Sequence, residues 1–123
     1  MLGSEKIVAF VGTRDPQRAK AFYQNTLGLK LLNQDQFALV FDANGIMLRV
    51  TTVQEVVTAP YTVLGWQVAD LRSTTGKLRD AGVELERYPF MKQDDLGIWI
   101  APGGGQVAWF KDPDGNLLSV VQL

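Results

Sequence analysis

Phe110 to Leu123 reads FKDPDGNLLSVVQL, and the way this stretch folds decides the architecture of the whole chain. Asp114-Gly115 separates two apolar runs, Val107-Ala108-Trp109-Phe110 and Leu117-Leu118-Ser119-Val120-Val121. Asp-Gly between such runs is a strong hairpin signal, because the turn needs backbone angles that these two residues tolerate. Pro113 fixes its own φ and helps close the corner. The two runs therefore pair as antiparallel strands. In the last of them Leu117, Ser119 and Val121 point to one face, and Leu118, Val120 and Gln122 to the other.

Upstream the same grammar appears twice. Ile7 to Val11 is a short β-branched and aromatic run that predicts a buried strand. Asp15 then offers a helix cap and Pro16 suits the first helical position. Ala19, Phe22, Tyr23, Thr26 and Leu27 recur at helical spacing, and Gly28 supplies the stop. Leu29–Leu32, Phe37–Phe41 and Ile46–Thr52 read as three strands, separated by Asn33-Gln34-Asp35 and Asn44-Gly45 turn chemistry. Gln54–Pro60 is a polar connector. Tyr61–Val68 then predicts a strand, and Asp70 caps a second helix that turns Leu71, Thr75, Leu78 and Ala81 inward and stops at Gly82. Val83–Tyr88 reads as a further strand. Pro89–Gly105 is a long stretch with Met91, Trp99 and three successive glycines, which suits either a lid over a site or a wide turn.

Val8 precedes Asp15 by the same interval as Val63 precedes Asp70. Each half runs strand, helix, three strands, so the chain reads as a duplicated βαβββ unit. The first module covers about residues 5–53, the connector 54–60, and the second module about 61–123. One such half has too few strands to bury both faces of its sheet. The predicted fold is therefore α+β, with two tandem βαβββ modules forming a curved eight-stranded mixed sheet. The helices cover its convex face, and the concave face is a cup, the default ligand site.

Composition narrows the chemistry. The chain has 123 residues, one domain's worth, with 46% hydrophobic and 20% charged residues. A net charge of −1 provides no broad attraction for nucleic acid or an anionic membrane. The Ile7–Val11 run is too short for a spanning helix or a signal segment, and a cytoplasmic location is the default expectation. There is no cysteine and no histidine. That removes thiolate chemistry, the commonest transition-metal ligand and the commonest general base together.

Two stretches carry a family resemblance. RDPQRAKAFYQNTLGL (Arg14–Leu29) and WFKDPDGNLLSVVQ (Trp109–Gln122) resemble the glyoxalase/bleomycin-resistance/extradiol-dioxygenase group, the vicinal oxygen chelate superfamily. Phe22-Tyr23 with Leu27-Gly28, and Asp112-Pro113-Asp114-Gly115-Asn116, are its most specific marks here. The resemblance implies paired βαβββ modules, a homodimer and a small-molecule cavity. It also implies four metal-ligating positions, which in the enzymes hold His, Glu or Gln. Those positions fall on Val8, Arg49 (Leu48 after a one-residue slip), Val63 and Ser119. Valine has no lone pair, arginine repels a cation, and a lone serine is a weak ligand. No metal and no cofactor is therefore expected. The readings of glyoxalase I, extradiol dioxygenase and metal-dependent fosfomycin-resistance transferase lose their chemistry.

Alternation places Phe10, Met47, Arg49, Gln67, Trp109 and Ser119 on the cup face as candidate binding residues, and Trp99, in the long Pro89–Gly105 stretch, is a further candidate whose face the pattern leaves open. Arg49 suits a clamp on a carboxylate, phosphate or polarised carbonyl. Equally, it suits a surface cation paired to Asp42 or Glu55. Trp109 and Trp99 suit a sandwich around a flat aromatic ligand, as the resemblance to metal-free antibiotic-sequestering members implies, or plain core filling. Trp66 has the opposite parity and belongs under the second helix. Three functions remain open at this stage. One is a metal-free protein of the bleomycin-resistance type that binds an aromatic or amphipathic ligand. The second is a lyase- or isomerase-type enzyme using Arg49 with a carboxylate or tyrosine base. The third is a structural dimer with a vestigial cup.

Overall fold

In the computed structural model, which describes residues 1–123, the contacts divide the chain after Val57 into two units. In the first, β1 (Val8–Thr13) leads into a helix, and β2 (Lys30–Gln34), β3 (Ala38–Ala43) and β4 (Ile46–Thr52) follow. The strand order is β1-β4-β3-β2, with β1 parallel to β4 and the other pairs antiparallel. In the second unit, β5 (Leu64–Gln67) is followed by a helix and then β6 (Trp99–Ile100), β7 (Gln106–Lys111) and β8 (Leu117–Gln122). Its order, β5-β8-β7-β6, repeats the first. The fold is α+β with tandem βαβββ modules, and the eight strands are shared between two four-stranded mixed sheets.

Each helix starts where its aspartate places it. Asp15 accepts the N–H of Arg18 at 3.2 Å, and Asp70 that of Ser73 at 3.1 Å. Either bond satisfies one of the donors left free in a first helical turn. The first helix, α1 (Pro16–Lys20), passes into a π-helical turn over Ala21–Thr26, with Leu27 N–H donating to Phe22 O at 2.9 Å. This turn seats Tyr23, fully buried, against Phe41 at 5.9 Å between ring centres. The second helix, α2 (Leu71–Asp80), buries Leu71, Thr75 and Leu78. Ala81, expected inward, is the C-cap residue and is exposed. Gln122 on β8 reaches the start of α2, its Oε1 accepting Leu71 N–H at 2.9 Å.

The cores follow strand alternation. On β4, Leu48 and Val50 are buried on the helix side while Met47, Arg49 and Thr51 share the other face. In the second unit Leu118, Val120, Ala108 and Phe110 pack on the helix side, and Trp66 joins them, its ring stacked on Phe110 at 6.4 Å. That is the face its parity predicts, and Trp66 is half-buried there.

Several local expectations change. Ile7 lies outside β1 and is exposed, as are Val8 and Phe10, so the first strand is not buried throughout, and Asn33 and Gln34, expected in a turn, belong to β2. The β7–β8 hairpin forms, but Lys111 stands opposite Leu117, so the connection is the five residues Asp112–Asn116. The buried Asp112 carboxylate organises it: Oδ1 accepts the N–H groups of Asp114 and Asn116, each at 2.9 Å, and Oδ2 accepts Asn116 Nδ2 at 2.8 Å. A two-residue turn forms at Asn44-Gly45, as its turn chemistry predicts, and both residues have positive φ, 52° and 90°, as a type I′ hairpin requires. Val83–Tyr88, expected as a strand, pairs with β7 only through an isolated bridge between Leu85 and Phe110 and a 2.7 Å bond from Glu86 N–H to Trp109 O. The edge strand is Trp99–Ile100, inside the expected long loop. The triple glycine is its turn: Ala101 N–H donates to Gly105 O at 2.7 Å and Gly104 N–H to Ala101 O at 2.8 Å.

Removing the Asp112 carboxylate strands three donors in a buried loop, so Asp112→Ala is expected to cost about 3 kcal/mol, against about 0.5–1 kcal/mol for Asp42→Ala, which frees one exposed N–H. Urea unfolding of the two variants measures the difference, and equal losses would contradict it.

Candidate functional site

In the first sheet, the register sets Val8 opposite Met47, Phe10 opposite Arg49 and Arg49 opposite Val40. Phe10, Met47 and Arg49 therefore share the helix-free face, and Phe10 is 61% exposed. Arg49 lies on a central strand and pairs with neither of the carboxylates proposed for it. Neither Asp42 nor Glu55 comes within ion-pair distance, and no carboxylate or tyrosine hydrogen-bonds its guanidinium. Its charge reaches Asp35 only at longer range. The Asp35 carboxyl is held below its ordinary range chiefly by the N–H of Phe37, then by that of Ala38. Desolvation opposes them, and the field of Arg49 adds the smallest pull. Arg49 is thus a half-buried cation on an apolar face, with its donors available.

In the second sheet, Gly65, Ser119 and Trp109 stand in one cross-strand row, and Gln67, Val121, Val107 and Trp99 in the next. Gln67, Trp99, Trp109 and Ser119 thus occupy the helix-free face of this sheet. Trp99 and Trp109 lie 6.1 Å apart between ring centres, tilted by 36°. Tyr88 meets Trp109 edge-on at 5.6 Å, and Phe90 packs on Tyr88 at 5.7 Å. Four rings therefore run in series, Phe90, Tyr88, Trp109, Trp99, with Phe90 79% exposed and the other three half-buried.

Tyr88 and Phe90 were not legible as site residues. No periodic signal marks them as such, because the segment that carries them pairs with β7 only through an isolated bridge; Glu86, two residues before Tyr88, pairs with Lys111 at 3.4 Å. Burial pushes the Tyr88 phenol above its ordinary value, Glu86 pushes it the same way, and Lys111 opposes. Tyr88 therefore stays protonated at neutral pH, as a phenol able to donate a hydrogen bond. Arg72 and Arg87 have structural partners in this region. Arg72 pairs with Asp94 at 2.9 Å and with Asp95 at 3.7 Å, and Arg87 donates to the Asp94 and Asp95 carbonyls.

The four positions that the family resemblance assigns to metal ligands do not fit one. Val8 and Val63 have no donor atom and Arg49 is a cation, which leaves the Ser119 hydroxyl alone. No three His, Cys, Asp or Glu side chains gather as a ligand set. Ser119 is instead in tight contact with the neighbouring strand: a Cβ on Gly65 would lie 2.8 Å from Ser119 Oγ and 3.2 Å from its carbonyl oxygen.

The model of the Glyoxalase/Bleomycin resistance protein/Dioxygenase superfamily matches residues 6–120. The chain belongs to that superfamily. Among solved structures, a superfamily member from Sphaerobacter thermophilus superposes with a TM-score of 0.77 at 19% identity, covering 100% of both chains. A glyoxalase family protein from Enterococcus faecalis gives 0.76 at 20% identity, covering 98% of this chain and 99% of that one. A lactoylglutathione lyase from Agrobacterium tumefaciens gives 0.76 at 17%, covering 97% and 93%. At such identities the likeness is one of fold. Among curated proteins none matches. No helix is long and apolar enough to cross a membrane.

The Gly65–Ser119 approach is directly testable. Gly65→Ala is expected to cost about 1–3 kcal/mol by overpacking, and combining it with Ser119→Gly should recover about half of that, since the closest atom is then gone. Additive losses in thermal unfolding would show that the two residues do not touch.

Proposed function

We propose that this member of the superfamily is a metal-free small-molecule-binding protein of the bleomycin-resistance type. It takes a flat aromatic or amphipathic organic ligand and breaks no bond. The observation that carries this reading is the row of four rings on the helix-free face of the second sheet. Three of them are half-exposed and the fourth is almost free. Stacking on Trp109 and Trp99 supplies apolar burial with offset geometry, and Gln67 and Ser119 supply hydrogen bonds that orient the ligand. Phe10, Met47 and Arg49 form a second set on the first sheet, apolar with one cation, suited to a ligand's carboxylate or carbonyl group. Binding ranks above catalysis because no group in either set is placed to move a proton. Arg49 has no carboxylate or tyrosine on it, and the Tyr88 phenol is shifted away from ionisation. A homodimer in the cytoplasm that sequesters a toxic compound, as an antibiotic-resistance protein does, is the setting we propose. The exposed apolar residues Val8, Phe10 and Met47 support an assembly of that kind.

Tryptophan fluorescence tests the reading with naphthalene-2-carboxylate and 9-aminoacridine as probes, in EDTA. Saturable quenching is expected, weakened about tenfold or more by Trp109→Ala and retained by Trp66→Phe. A response to divalent metal alone would overturn the proposal.

A further inference from the structure

The rings on the second sheet are not held by regular strand pairing alone. Trp109 belongs to β7, but Tyr88 stands in a segment with no continuous partner, and Trp99 lies on a strand of two residues. One side chain ties both segments together. Gln93 Oε1 accepts the Tyr88 N–H at 2.8 Å, while its Nε2 donates to the carbonyls of Glu86 at 2.9 Å and Gly97 at 2.8 Å. The orientation of the amide follows from its partners, since an N–H faces one end and two carbonyls face the other. Gln93 also stands opposite Trp99 in an isolated antiparallel bridge. Its side chain thus does what a strand would do between residues 86–88 and 97–99.

We propose that Gln93 is the positioning residue of the aromatic face. It sets the places of Tyr88 and Trp99 on either side of Trp109, so that the row of rings exists before a ligand arrives. The inference rests on the binding reading above and deepens it: a preformed face favours rigid, flat aromatic ligands, because little ordering remains to be done on binding. Arg72, which braces the same loop through Asp94, is an exposed contact and has no hold on the rings. It serves as the control.

Three variants are compared: Gln93→Ala, Gln93→Glu and Arg72→Ala. The first readout is the exciton couplet of the Trp99–Trp109 pair in circular dichroism. The second is the affinity for 9-aminoacridine. Gln93→Ala should shrink the couplet and weaken the probe about tenfold, the scale of one or two lost hydrogen bonds, with the secondary-structure signal intact. Gln93→Glu should do the same at pH 8, where its carboxylate faces two carbonyls. It should regain both signals as the introduced carboxyl protonates and becomes a donor. Gln93→Ala should show no such recovery, and Arg72→Ala should leave the couplet and the affinity within about twofold of the parent. Gln93→Glu is isosteric and supplies the test even where the alanine variant does not fold. A couplet and affinity unchanged in both Gln93 variants, with binding still lost in Trp109→Ala, would overturn the positioning role and leave the binding reading standing. A couplet that collapses in a protein whose parent binds neither probe would support the positioning role and overturn the binding reading.

Discussion

The register between β7 and β8 is the constraint on which the second module depends. Side chains alternate along a strand, so a slip of β8 by one residue against β7 would turn over the faces of β8. Ser119 would then turn under α2 and Leu118 away from it, while Trp109 and Phe110 kept their places. The Asp112 carboxylate guards against that slip. By taking two backbone N–H groups and the Asn116 amide, it fixes the length of the connection at five residues and sets Lys111 opposite Leu117. From that pairing follow the row Gly65–Ser119–Trp109, the stacking of Trp66 on Phe110, and the reach of Gln122 to the start of α2.

Both modules obey one plan but finish it differently. In the first, β2 lines the outer edge of β3 along most of its length, interrupted by a bulge between Leu31 and Asn33. In the second, the corresponding edge of β7 is shared by Leu85-Glu86 at one end and Trp99-Ile100 at the other, with Gln93 bridging the gap. The irregular edge brings Tyr88 to Trp109, with Phe90 packed on Tyr88. The regular edge of the first module carries no comparable row of rings. The duplication therefore leaves one sheet with a cation among apolar residues and the other with an aromatic row.

Much of this was legible in the chain itself, for identifiable reasons. Asp15-Pro16 and Asp70 mark the helix starts because a first helical turn needs an acceptor, and both caps are made. Alternation placed Gln67, Trp109 and Ser119 on one face and Trp66 on the other, since strands of four or more residues hold their period. The Val83–Tyr88 segment misled because its alternation is genuine, yet Gln93 and Pro89 divert it. A side-chain amide that replaces strand pairing leaves no periodic signal. Asp114-Gly115 pointed to the right hairpin but left the length of its connection open, because the pattern of flanking residues does not report what the Asp112 carboxylate binds.

The most direct test of the account is an NMR titration of the three indole N–H resonances with 9-aminoacridine in EDTA. Trp99 and Trp109 should move together along one saturation curve while Trp66, stacked on Phe110 under the helix, stays in place. Movement of Trp66 alone, or of none of the three while the probe binds elsewhere, would contradict an aromatic binding face on the second sheet.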